Sequence, residues 1–170
     1  MFESRLKLKQ QLISEIIVHL QDELDQAMQA ANNAHNAATD DQSVAETQYD
    51  TLAIEASYLA EGQSKRVAEY QTALQAYQQL KLAQFNDHSD IKLTALVQLT
   101  KDKNCSHWFF IGPYAGGFRA NIHTDIGDQQ ITVITPQSPM GLAMIGKQQD
   151  DDIEITLGNE KLQDYICAVK

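Results

Sequence analysis

Basic residues, cysteine, proline and long apolar runs are all scarce in this 170-residue chain, and each scarcity closes off a class of function. Thirteen Lys and Arg stand against 23 Asp and Glu, a formal net charge of −10. Affinity for duplex nucleic acid comes chiefly from cations that neutralise phosphates, so tight direct binding to duplex DNA is not expected. An acidic protein can still act on a nucleic-acid machine by docking on its protein parts or by presenting carboxylates to a metal. The two cysteines, Cys105 and Cys167, are too few to staple a fold and form neither a CxxC nor a zinc spacing. Both are read as reduced, Cys167 inside a strand. No window approaches the roughly 18 to 20 apolar residues of a membrane span, and Met1 to Lys9 lacks the apolar core of a signal peptide. The expected location is the cytoplasm.

Glycine and proline are also unevenly placed. The first 85 residues hold one glycine and no proline, whereas all three prolines and seven of the eight glycines come later. This divides the chain into a helical half and a turn-containing half. From Phe2 to about Asn36, Leu6, Ile13, Ile17, Leu20, Leu24, Ala27 and Ala31 recur, after Ile13, at steps of four and three, the seam of a coiled coil. Leu8, Leu12 and Ile16 widen the stripe, so this end is expected to pack against something broader as well. Residues 34 to 43 contain no large apolar side chain and are read as a bend. Thr39, Asp40, Asp41 and Ser43 are competent N-caps there, and Glu46 follows Ser43 by three residues as in a capping box. A second helix is expected from about Val44 to Gln84, with Tyr49, Leu52, Ala56, Leu59, Gln63, Val67, Tyr70, Leu74 and Tyr77 keeping a three-four rhythm. The two arms make an antiparallel coiled-coil hairpin over residues 1 to 86 with its tip near 36 to 46. A first arm of ~33 residues would reach ~50 Å at the helical rise per residue.

Residues 87 to 170 are read as a small α+β domain. Strands are expected at Ile91 to Leu99, Cys105 to Ile111, Phe118 to His123, Gln130 to Thr135, Asp152 to Leu157 and Gln163 to Val169, forming an antiparallel sheet. Gly112 to Gly117 is a turn or bulge without phosphate-loop spacing. The run Trp108-Phe109-Phe110 must place its rings on opposite faces of a strand, one core and the other available for docking or for packing. Between two strands stands Ser138-Pro139-Met140-Gly141-Leu142-Ala143-Met144-Ile145-Gly146-Lys147. Ser138 suits an N-cap and Pro139 the first helical position, Leu142, Met144 and Ile145 supply an apolar side, and Gly146 suits a left-handed stop. Asp150, Asp151 and Asp152 form an acidic turn before the next strand.

This unit resembles the C-terminal domain of the bacterial Gre-type (GreA/GreB) transcription factors. The pattern there is a strand, Ser-Pro-x-Gly-x-Ala, two apolar residues, Gly-Lys, an acidic turn and an alternating strand. The matching positions are Ser138, Pro139, Gly141, Ala143, Met144, Ile145, Gly146 and Lys147. The resemblance implies an FKBP-like fold for this domain, although nothing in the residues points to prolyl isomerase activity. It also implies docking on RNA polymerase, with Ser138, Pro139, Gly141, Gly146 and Lys147 as either partner-binding or structural residues. The hairpin is similar to the family's N-terminal coiled coil, which enters the polymerase's secondary channel. In that family, acidic tip residues help the polymerase hold a second Mg²⁺ and cleave backtracked RNA, so such a protein is at most an accessory to the polymerase's own cleavage. It needs no intrinsic cofactor.

Here the candidates for that role are Asp41 and Glu46 as catalytic carboxylates, with Asp40, Asp41 and Glu46 as Mg²⁺ contacts in complex with polymerase. The family's tip reads roughly Asp-x-x-Glu-Asn-x-Glu-Tyr. If Glu46 takes the place of its first Glu, Ser43 stands at the Asp; if Tyr49 takes the place of its Tyr, Ala45 stands at that Glu. Each register leaves one carboxylate unfilled. The readings left open are a cleavage-stimulating factor, a non-catalytic regulator that occupies the channel, and a helical-hairpin interaction module unrelated to polymerase. Asp40, Asp41 and Glu46 also fit a solvated helix start that complements the dipole. The five histidines show no ligand spacing, Asp150 to Asp152 reads as a solvated turn ahead of a cation site, and no Ser/His/Asp or Cys/His arrangement emerges.

Overall fold

The computed structural model describes residues 2–39, 51–86, 88–100, 106–124, 127–158 and 160–170. The fold is α+β: two long helices, α1 (Phe2–Thr39) and α2 (Thr51–Gln78), then a six-stranded mixed sheet with one short helix, α3 (Pro139–Met144). Two compact units divide the chain, one made of Met1–Ile16 with Gln79–Lys170 and the other of Ile17–Gln78.

Proline is absent from α1, and its burial follows helical spacing. Lys9, Leu12, Ile16, Leu20, Leu24, Ala27 and Ala34 are buried. The buried line therefore enters through Leu12 and Ile16 and not through the expected Leu6, Ile13 and Ile17: Leu6 is 45% exposed, and Ile13 and Ile17 are half-buried. The reason is angular. Leu12, Ile16, Leu20 and Leu24 lie four apart on one side, while Ile13 and Ile17 sit about 100° further round. Within the Ile17–Gln78 unit, the Tyr70 hydroxyl donates a 2.7 Å hydrogen bond to the Glu23 carboxylate, joining α1 to α2. On α2 the expected rhythm is kept from Gln63, Val67 and Tyr70, all half-buried, to buried Leu74 and Tyr77, but Leu59 is 55% exposed.

The second helix ends at Gln78, six residues before its expected end. The good helix formers that follow are held by other bonds: the Ala83 amide donates to Thr94 Oγ1 at 3.0 Å, and the Ala83 carbonyl accepts from Lys9 Nζ. Tertiary partners have overridden propensity there.

The strands are β1 (Leu96–Leu99), β2 (His107–Ile111), β3 (Arg119–Thr124), β4 (Gly127–Ile134), β5 (Asp152–Leu157) and β6 (Glu160–Val169). Their order is β3-β4-β2-β1-β6-β5. The sheet is not wholly antiparallel as expected, because β2 and β4 run parallel, His107 opposite Gln130 through Ile111 opposite Ile134. After β2 the chain turns over residues 112–118, runs back as edge strand β3 and reverses again into β4, so two reversals restore the direction. Ile91 to Ala95 is also not strand. Thr94 has φ 72°, and the Ala95 amide donates to the Lys92 carbonyl, which makes a turn.

All four residues of central β1 are buried, so the sheet is covered on both faces there. One face holds Val97, Leu99, Ile111, Ile134, Ile153, Ile155, Ile166 and Val169, with Phe85, Ile91 and Met144 of α3 packed into the same cluster. The aromatic run of β2 splits as its alternation requires: Phe109 packs on this cluster, while fully buried Phe110 and half-buried Trp108, whose indole N–H donates to Gln129 Oε1 at 2.9 Å, share the other face. Cys167 lies in β6 and forms no disulfide, and Cys105 lies outside the described residues.

Lys9 is the one cation in the buried line of α1. It is 4% exposed, its ammonium donates to the Ala83 carbonyl at 3.4 Å, and it lies 4.7 Å from the centre of the Phe85 ring. Burial first, and the neighbouring Arg5 charge second, lower its pKa from 10.5 to about 8. The unfolded chain keeps this proton up to its ordinary pKa, whereas the folded chain releases it near 8. The burden of the buried charge is therefore complete below about pH 8, and stability rises with pH between the two values. The shift is equivalent to about 3 kcal/mol. Lys9→Met keeps the stem and removes the charge, and should stabilise the protein by about 1–3 kcal/mol at neutral pH. Urea denaturation of both proteins should show that gain shrinking as pH rises from 8 to 10.5; a gain independent of pH would contradict this account.

Candidate partner-docking site

The segment after β4 is built from its own backbone outward. Ser138, with φ −68° and ψ 155°, caps α3: its hydroxyl accepts from the Gly141 amide at 3.0 Å and donates to the Thr135 carbonyl at 2.8 Å. Pro139 occupies the first turn, where a missing N–H is no loss. Gly141 is required by contact. A Cβ there would lie 2.0 Å from the Thr135 carbonyl oxygen and 2.9 Å from its carbon. Gly146 is required by conformation, at φ 77°. Its amide donates to the Ile91 carbonyl at 2.9 Å, and the Ile91 amide donates to the Lys147 carbonyl at 2.8 Å, so the helix end is sewn to the chain leading into β1.

The apolar residues of α3 divide differently from expectation. Met144 is fully buried and Ala143 packs on the core cluster, but Leu142 is 71% and Ile145 39% exposed. A six-residue helix has a single inner face, and Gly141 and Met144 occupy it. Ser138, Gly141 and Gly146 thus serve the backbone, and Lys147 pairs through its main chain. What faces outward is exposed Pro139, Leu142 and Ile145, with the exposed Lys147 beside them.

The acidic turn that follows is tied down. Asp151 Oδ2 accepts from the Gln148 amide at 2.8 Å, the Asp150 amide donates to the Ile166 carbonyl at 2.9 Å, and the Ile166 amide donates to the Asp151 carbonyl at 3.0 Å. Partial desolvation, followed by the Asp150 carboxylate that its phenol faces, raises the pKa of Tyr165. Among the described residues no three His, Cys, Asp or Glu side chains gather as a metal site. His107 Nε2 pairs with Thr132 Oγ1 at 2.9 Å, and His123 pairs with the Asp128 carboxylate. Asp40, Asp41 and Glu46 lie outside the described residues. Among the described residues no helix is long and apolar enough to cross a membrane.

Reading by residue type missed Lys9 and Phe85. The available signal was a lysine three residues before Leu12 and seven before Ile16, on the same helical face as both.

The chain has a distant likeness to several solved structures. The crystal structure of GreA factor homolog 1 (Gfh1) of Thermus thermophilus is 15% identical with a TM-score of 0.34, over 91% of this chain and 94% of that one. A second structure, of the transcription factor Gfh1, gives 15%, 0.34, 90% and 92%, and Thermus aquaticus Gfh1 gives 14%, 0.32, 89% and 91%. At that depth the likeness carries no argument about activity or partner. No protein-family profile and no curated protein matches the chain.

Three substitutions separate the segment's backbone requirements. Ser138→Ala should cost about 1 kcal/mol. Gly146→Ala should cost roughly 1 to 2 kcal/mol through left-handed strain. Gly141→Ala should cost more than either, because the clash is with a carbonyl and not with a movable side chain. Thermal and urea melts rank them, and a Gly141→Ala protein as stable as Ser138→Ala would refute the close-approach explanation.

Proposed function

We propose that this protein is a Gre-type accessory factor of RNA polymerase. The observation that carries the reading is the Ser138–Lys147 segment. Its sequence matches the Gre-type pattern, and the pattern's Ser, Pro and two Gly positions each meet a stated geometric need, leaving Pro139, Leu142, Ile145 and Lys147 outward. In this reading the sheet is an FKBP-like docking domain, and the outward residues of α3 face the polymerase. The two helices are the arms of an antiparallel coiled coil that enters the secondary channel, and the Tyr70–Glu23 bond supports their pairing. Any RNA cleavage belongs to the polymerase's own Mg²⁺ site. Asp40, Asp41 and Glu46 are the residues of this chain that would hold or orient that metal, since Mg²⁺ takes carboxylate oxygens.

A second reading is favoured by the tip sequence, in which one of the family's two carboxylates is replaced by Ser43 or Ala45, depending on register. With one carboxylate missing, the protein would occupy the channel and modulate transcription without cleaving.

Purified protein should bind bacterial core polymerase in a low-salt titration, and Leu142→Asp should weaken that binding about tenfold or more by placing a charge where apolar surface is buried. Deleting residues 34 to 48 should spare docking. No binding to core polymerase would end both readings. In a stalled, backtracked complex with Mg²⁺, shortening of the RNA that Glu46→Ala abolishes identifies the cleavage factor; altered elongation without shortening identifies the channel-occupying regulator.

A further inference from the structure

The outer face of α2, within the Ile17–Gln78 unit, carries features that the chain's own packing does not use. Ile54 is 50% and Tyr58 71% exposed. Gly62 follows Tyr58 by four residues, as Tyr58 follows Ile54, so the three line one side of the helix. A glycine in a helix interior weakens the helix, and no need within the chain accounts for this one. Gly62 is not in the left-handed region, and a Cβ there would meet nothing within 4 Å beyond its chain neighbours and its own helical backbone. An exposed ring beside bare helical backbone suits a second helix that approaches closely.

The charges along this face select that helix. Exposed Glu55 lies toward its N-terminal end and exposed Lys65 toward its C-terminal end. About 15 Å of helix separates them, so they cannot meet within one α2. Among the described residues neither is in an ion pair. A second α2 laid antiparallel supplies each with its opposite, whereas a parallel copy in register sets like on like. Tyr58 of one copy against Gly62 of the other puts a two-fold axis at the level of Ala60, and the same axis sets Glu55 of one copy opposite Lys65 of the other. At about 100° per residue, Glu55 and Lys65 lie about 40° to either side of the line midway between Tyr58 and Gly62, so they edge the same seam. Size and charge, two independent features, are met by one alignment.

We propose that α2 pairs antiparallel with α2 of a second copy of this chain, about a two-fold axis at Ala60, with each Tyr58 ring seated on the other copy's Gly62. The interface is isologous, and the matched stretch from Ile54 to Arg66 is only about 18 Å long. So short a contact belongs with small, transient interfaces, with a Kd on the order of 10 to 100 µM. This inference does not depend on the polymerase reading.

Sedimentation velocity of the whole protein from about 1 to about 500 µM should show a monomer giving way to a dimer. Tyr58→Glu should raise the Kd about tenfold or more. Gly62→Leu strengthens the isolated helix and adds apolar surface, so it should raise the melting temperature of the monomer; yet it should weaken pairing about tenfold, because it fills the seat of the ring. Glu55→Lys and Lys65→Glu should each weaken pairing roughly fivefold, and the doubly swapped protein should regain the original strength. All four positions are exposed, so the variants keep the fold; should one lose its far-UV circular dichroism, the others decide. A monomer at every concentration would overturn the proposal. So would a dimer indifferent to Tyr58→Glu, a dimer tightened by Gly62→Leu, or a double charge swap that pairs no better than the single ones.

Discussion

Much of this molecule follows from one constraint, the burial of β1 on both faces. Leu96, Val97, Gln98 and Leu99 are all buried at the centre of the sheet, flanked by β2 and β6. A strand with one wet face needs a single covering layer; one with none needs two. On the first face the layer is α3 with Phe85 and Ile91, whose side chains join the β-sheet cluster. The same compact unit also recruits the first turns of α1, far away in sequence, with Leu12 and Ile16 at 0% exposure. The helix that opens the chain is thus part of the sheet unit before it continues into the other one.

That recruitment explains the awkward position of Lys9. A helix with a mostly apolar buried line carries a lysine that meets Phe85 and Ala83, and the charge is accommodated by a ring face and a carbonyl. It also explains why α2 ends without a proline or glycine to stop it. Residues 79–86 give up helical bonds so that Ala83 can reach Thr94 on one side and Lys9 on the other. A local sequence favourable to helix is outcompeted by partners that only the folded unit provides.

The contrast between legible and illegible features has the same origin. The α3 segment could be read in advance because Ser138, Pro139 and Gly146 act within a few residues of themselves, and β5 because Ile153 and Ile155 alternate with exposed polar neighbours. The parallel pairing of β2 with β4 could not, since strand composition is silent on which neighbour a strand chooses. Nor could the face of α1: Ile13 and Ile17 are as apolar as Leu12 and Ile16, and only the packing of the folded chain distinguishes them. Gly141 lies between these cases. A glycine in a helix is conspicuous, but its reason, the Thr135 carbonyl 2.0 Å from where a Cβ would be, exists only after β4 and α3 have met.

The same distinction bears on function. A motif whose polar groups are spent on its own closure says little by itself about chemistry, because Ser138 would be needed to cap α3 whatever the domain docked on. Selection for a partner leaves its mark where folding makes no demand. On α3 those places are Leu142 at 71% and Ile145 at 39% exposure, two apolar side chains that the core does not use. At Lys9 it is a buried ammonium met by a carbonyl and a ring face. Both features run against what stability alone favours, since apolar groups gain by burial and charges lose by it. Stability alone favours neither feature, and on α3 the outcome is that Leu142 and Ile145 are the apolar groups left for the proposed docking face.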